Sequence, residues 1–241
     1  MRKAALLSLI LLAPILLAPM LLALPAGAAA AKPPVLVELF TAQGCRSCTD
    51  FNEHMNRLAE RPGVLALTFS VDYWDYLGWT DTFAEPEFAE RQKAYVTRLK
   101  LREPYTPQVV VDGREEVQGK ASEVDKVVRA AANAPRNPPD MRFVGPRRVD
   151  VGSGRAPRGG AEVWLVRYDP RAVEVAVRAG DNRGETVVQR NVVREITRLG
   201  AWRGRPKAYR IPPTTEDGLK MAVIVQVPRG GRVIAVAQPK T

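Results

Sequence analysis

Histidine is almost missing from this chain of 241 residues, where His54 stands alone. Cysteine is nearly as scarce, with Cys45 and Cys48 only. A structural zinc site takes about four ligands, so no metal is expected here, and a copper carrier built on the two thiols lacks a third ligand. Covalent haem attachment needs Cys-x-x-Cys-His, and position 49 is Thr. A Ser-His-Asp site would have to recruit His54, and no nucleophile-elbow pattern accompanies it. His54 falls six residues past Cys48, about 240° round a helix, which predicts a solvated position facing away from the core. There is no Lys/Arg tract, although the net charge is +10. Scattered basic residues without a binding motif argue against nucleic acid as a partner. They favour solubility and anionic partners or surfaces. Solenoid-type repeats are also absent.

Long apolar runs are confined to the N-terminus. Arg2 and Lys3 precede an apolar stretch, Ala4 to Leu24, that is interrupted by Ser8, Pro14 and Pro19. The small-residue tail Ala26–Ala31 supplies cleavage sites of the A-x-A kind. Residues 1–31 are therefore expected to be a signal peptide, with a mature N-terminus between about Gly27 and Pro33. An uncleaved anchor is the other reading, since the run is just long enough to span a bilayer. The two prolines and the alanine tail favour cleavage, with no stable membrane insertion afterwards. The expected location is periplasmic or secreted, where two cysteines are available for disulfide chemistry.

Behind the leader the pattern is α/β. Val35–Phe40 reads as a buried strand, and the segment from Cys45 to about Arg61 as a helix. Cys48, Phe51, Met55 and Leu58 share one helical face. Pro62-Gly63 ends the helix, and Val64–Val71 is a second apolar strand. Strand, helix, strand predicts a βαβ unit with a parallel sheet. A helix from about Pro86 to Leu99 is inserted before the third strand. Asp112-Gly113 between apolar runs signals a hairpin. Ser122 to Asn133 is a last helix, with Ser122-x-x-Asp125 as a capping-box variant. Pro135, Pro138 and Pro139 mark a linker over 135–142. The short β-rich runs that follow, separated by turn residues, predict an all-β sandwich-like domain over 143–241. The α/β domain then occupies 32–134.

The chemistry centres on the cysteine pair. Strand, turn, then Cys-x-x-Cys opening a helix is the layout of a thioredoxin-like redox site. A helix N-terminus favours the thiolate, and Arg46 is expected to add positive potential beside Cys45. Cys45 is then the nucleophile and Cys48, one turn on and facing inward, the resolving thiol. Glu38 is a carboxylate in an apolar strand. It is read either as a proton relay for Cys48 or as an edge-facing or paired acid. Thr106-Pro107 opening a strand suggests a cis-proline facing the sulfurs, with the Thr106 backbone free to pair with an extended substrate. An ordinary trans proline at a strand start fits the same letters. Tyr73, Trp74, Tyr76 and Trp79 read either as a substrate groove or as the packing of a long loop. Asp72 and Asp75 read as turn caps.

Glu-Leu-Phe-Thr-Ala-Gln-Gly-Cys-Arg-Ser-Cys (38–48), Val-Asp-Tyr-Trp-Asp-Tyr-Leu-Gly-Trp (71–79), Arg91-Gln92 and Tyr-Thr-Pro-Gln-Val-Val-Val-Asp-Gly (105–113) resemble the bacterial secreted family called domain of unknown function 1223. The resemblance covers most of the mature chain and implies a thioredoxin-like fold. This chain departs from the family pattern at Arg46, Thr49 and Ser70, where the family has Ser, Pro and His. The Ser70 departure argues against a mechanism that needs that histidine. A wider resemblance is to thioredoxin and the periplasmic Dsb oxidoreductases. It implies that Cys45 and Cys48 match the redox pair, Pro107 the cis-proline and Glu38, one residue out of register, the buried acid.

The expectation is thus an exported thiol–disulfide oxidoreductase without a cofactor, acting on protein or small thiol and disulfide substrates. Cys45, Cys48, Glu38 and Pro107 would do the chemistry, and Tyr105, Thr106, Trp74 and Tyr76 would hold the substrate. The alternative is a non-enzymatic binding module in which Cys45–Cys48 is a structural disulfide.

Overall fold

The first apolar run, Val35–Thr41, is strand β1 and is buried at all seven positions. It lies in a computed structural model that describes residues 32–239; the expected signal peptide lies outside the described residues. A 3₁₀ turn, Arg46–Cys48, leads into helix α1, Thr49–Leu58. Strand β2, Val64–Ser70, then runs parallel to β1 from Val35↔Val64 to Thr41↔Ser70. The expected βαβ unit is present. Its alternating side chains serve two cores, because successive residues of a strand point to opposite faces. Val35, Val37 and Leu39 pack under Phe51, Met55 and Leu58 of α1. Leu36 and Phe40 face the other way, toward Phe69 and the Phe88 and Tyr95 side chains of helix α2, Pro86–Leu99.

Strands β3, Gln108–Val111, and β4, Glu115–Val117, form the hairpin read from Asp112-Gly113. Both turn residues have positive φ, at 50° and 59°. A side chain at Gly113 would meet the Gly231 carbonyl at 2.5 Å, so the site requires glycine. Helix α3, Ala121–Asn133, starts one residue before the expected Ser122. Its N-cap is Lys120 without a side-chain cap, and Asp125 pairs with Arg61 rather than closing a capping box.

The second half departs from the expectation of a separate domain. Strands β5, Met141–Phe143, and β6, Arg148–Val151, lead to two long strands, β7, Ala161–Ala176, and β8, Thr186–Trp202. Three more follow: β9, Lys207–Arg210; β10, Lys220–Gln226; and β11, Val233–Ala237. β8 lies beside β2, so one eight-stranded mixed sheet runs β11-β10-β7-β8-β2-β1-β3-β4. Thr68 Oγ1 donates to the Arg190 carbonyl at 2.9 Å and Asn191 Nδ2 to the Ala66 carbonyl at 2.7 Å, which lock the seam. The core crosses that seam too, with Phe69 and Phe88 clustered with Tyr168 and Ile224. The β strands of 143–241 therefore extend the first sheet rather than standing apart. The sandwich-like element is smaller: β5, β6 and β9 form a three-stranded sheet whose Val149, Val151 and Tyr209 cover Val163, Leu165 and Val223 of the large one.

Asp169-Pro170 lies inside β7. The ladder shifts register between Asp169 and Ala172, and the Asp169 carboxylate accepts the Arg171 N–H at 3.0 Å. A bulge accommodates the proline without ending the strand.

Candidate functional site

The loop Ala42–Gly44 carries the chain from β1 to the cysteines. Cys45 caps the 3₁₀ turn and Cys48 the α1 helix, and the two are joined by a disulfide. Both sulfurs are covered, with Cys45 2% and Cys48 0% exposed. Thr106 Oγ1 donates toward Cys45 Sγ at 3.3 Å, and itself accepts the Trp74 indole N–H at 2.7 Å. The Thr106–Pro107 peptide bond is cis. Gln92 of α2 pins this segment by donating to the Tyr105 carbonyl at 2.8 Å and to Gln108 Oε1 at 2.9 Å. Cys45, Thr106 and Trp74, separated widely in sequence, therefore form one continuous contact chain.

Tyr76 is 78% exposed and stacks on Trp74, with ring centroids 6.4 Å apart and planes 16° apart. Together they form an aromatic shelf beside Thr106. Tyr73 is partly buried behind it, and burial pushes its phenol up to about 12. Tyr105 is turned elsewhere, its hydroxyl donating to Glu116 of β4. Trp79 is scaffold, with its indole N–H on Gln43 Oε1 at 3.0 Å.

Glu38 does not reach for a thiol. Its carboxylate lies on the α2 side of β1, where Arg91 Nε donates at 2.6 Å and the Tyr95 hydroxyl donates to the other oxygen. Gln226 completes the cluster by donating to Tyr95 at 2.9 Å and accepting from Arg91 at 3.1 Å. Burial works against the Arg91 cation, yet Glu38 beside it holds the pKa above its ordinary value. A carboxylate occupied by a guanidinium is a structural ion pair. Of the two readings, the paired acid matches the partners observed.

Two further expectations are corrected. Arg46 is turned from the sulfurs, donating to the Asp181 carbonyl at 3.2 and 3.3 Å. His54 is buried, at 7% exposure, because α3 lies over that face of α1 and brings Asp125 to 3.6 Å. Burial lowers its pKa. Among the described residues no three His, Cys, Asp or Glu side chains cluster as metal ligands.

Sequence reasoning missed the cover over the pair. The turn between β7 and β8 folds onto the cysteine loop: Asn182 Nδ2 donates to the Gln43 carbonyl at 2.8 Å, and a Cβ on Gly180 would lie 3.5 Å from Gly44 Cα. Gln43 is the hub beneath it. Its backbone N–H donates to Asp81 at 2.7 Å and its side chain bonds Thr82 and Trp79. A polar residue between an apolar strand and a Cys-x-x-Cys pair was the available signal. Beside the cover, Arg46, Thr49, Asn182 and Val188 line a cavity of about 330 Å³.

A mixed α/β chain with a disulfide at the start of its first helix is the class these features define. The model of the family described as "Protein of unknown function (DUF1223)" matches residues 36–226, and the chain belongs to that family. An X-ray structure of a protein from Agrobacterium tumefaciens, a structural-genomics target, is similar at TM-score 0.70 and 28% identity, covering 86% of this chain and 95% of that one. HBP35 of Porphyromonas gingivalis is similar at TM-score 0.58 and 12% identity, covering 86% and 74%, a likeness of fold alone. Among curated proteins there is no match. No helix among the described residues is long and apolar enough to cross a membrane.

Proposed function

We propose that this chain is an exported thiol–disulfide oxidoreductase on a thioredoxin-like scaffold, with Cys45 as the exchanging sulfur and Cys48 as the resolving one. The observation that carries the reading is the Thr106 hydroxyl directed at Cys45 Sγ, beside a shelf of Trp74 and Tyr76. In the oxidised form a substrate thiolate attacks Cys45 Sγ. The Cys45–Cys48 bond breaks and Cys48 leaves as thiolate, giving a mixed disulfide. A second substrate thiolate then attacks the substrate sulfur, releasing Cys45. The substrate loses two electrons and the pair gains them; run backwards, the same steps reduce a substrate disulfide. Thr106 donates to the Cys45 sulfur as charge collects on it, and Pro107 offers no competing N–H. Trp74 and Tyr76 provide apolar area for a peptide flanking the reacting cysteine, and the Thr106 backbone its main-chain contacts.

Cys48→Ser tests this directly. The variant should accumulate a mixed disulfide at Cys45 with a disulfide-bearing peptide, whose other sulfur leaves as thiolate, and Cys45→Ser should form none. The binding-module reading has its own support in the near-complete burial of both sulfurs. Under it, Cys48→Ser traps nothing.

A further inference from the structure

We propose that a second site, on the part of the chain where the β3–β4 hairpin meets β11, binds a small polyanion. A cavity of about 610 Å³ opens there, and its charged lining is Arg114, Arg136, Arg155, Arg158, Arg232 and Asp112. That volume is in the range of small-molecule sites, about 300–1,000 Å³. The single acid is already used. Asp112 Oδ1 accepts the Leu36 N–H at 2.9 Å and Oδ2 accepts from Arg136. Arg136 also donates to the Ala131 carbonyl at 2.8 Å, at the end of α3. Among the described residues, the side chains of Arg114, Arg155, Arg158 and Arg232 have no ion-pair or hydrogen-bond partner around this cavity. Four guanidiniums around one hollow repel one another, and an anion is what such an arrangement accommodates.

The frame is anchored. Arg155 and Arg158 sit on the loop from β6 to β7. Trp202 Nε1 donates to the Gly152 carbonyl at 3.1 Å and the Gly154 N–H to the Gly204 carbonyl at 3.1 Å. A side chain at Gly204 would come within 2.7 Å of the Gly154 oxygen, so the crossing depends on glycine. The opposite edge is fixed where the Val233 N–H donates to the Asp112 carbonyl at 2.7 Å. Ala131, Pro157 and Ile234 supply apolar wall between the cations. Arginines on two anchored edges with aliphatic wall between them suit a compact ligand with at least two carboxylate or phosphate groups. The site owes nothing to the cysteine pair.

Calorimetric titration with citrate, pyrophosphate and acetate tests this. Citrate or pyrophosphate should bind at a saturable 1:1 site, and acetate should not saturate. Arg155→Gln/Arg232→Gln should weaken the polyanion about tenfold or more, as the loss of charged hydrogen bonds implies. Arg114→Gln should weaken it independently, and Arg98→Gln, outside the cavity, should not. These side chains are exposed, and an unchanged melting temperature confirms folding. No saturation by either polyanion, or equal weakening by Arg98→Gln, overturns the proposal in favour of diffuse attraction to a basic surface.

Discussion

Asn182 Nδ2 donates to the Gln43 carbonyl at 2.8 Å, two residues before Cys45. This bond ties the turn between β7 and β8 to the loop carrying the disulfide. It joins positions 139 apart and is buried. Arg46 reinforces it from the other side through the Asp181 carbonyl.

Removing that tie should expose the pair. Asn182→Ala leaves a buried carbonyl unpaired, at a cost of about 1–3 kcal/mol that is relieved when the turn lifts. The disulfide should therefore be reduced faster by dithiothreitol, with little change in far-UV circular dichroism. An unchanged reduction rate would show that the turn does not control access.

Glu38→Gln should act on stability rather than on exchange. It strips a buried guanidinium of its carboxylate; Glu38 is fully buried and the Arg91 side chain 7% exposed. Breaking such a pair from one side costs about 3–5 kcal/mol, read as a lower urea midpoint at unchanged m-value. A normal midpoint with a slowed resolving step would restore the proton-relay role.

His54 should contribute to acid sensitivity. Burial lowers its pKa below the ordinary 6.5. The unfolded chain therefore binds the proton more readily, and stability falls as pH drops from about 6.5 through the lowered value. His54→Gln should flatten the stability curve in that window and leave it unchanged above it. Urea unfolding at pH 7.5, 6.5 and 5.5 reads the difference.

Much of the first half was legible because its signals are local. The continuous apolar run Val35–Phe40, the spacing of Phe51, Met55 and Leu58, and Asp112-Gly113 each fix a nearby conformation. At Thr106-Pro107 the letters left two readings open, and the cis bond and the approach of Thr106 to Cys45 follow from the pairing of that strand with β1. What was hidden depends on distant partners. Nothing near Thr68 announces Val192 as its neighbour across the sheet, so the second half was read as a domain of its own. Arg46 was assigned to Cys45 because they adjoin in sequence, whereas its partner, Asp181, arrives from the far end of β7. His54 was read from α1 alone, before α3 covered it.

The central claim is that Cys45–Cys48 is an exchanging disulfide, and its reduction potential tests that most directly. The protein is equilibrated in glutathione buffers of graded ratio, quenched with acid, and the bridged fraction measured by mass after alkylation. An exchange-active pair should titrate at a potential above about −300 mV. A pair that stays bridged well below that value is a structural staple, and the oxidoreductase account would then be wrong.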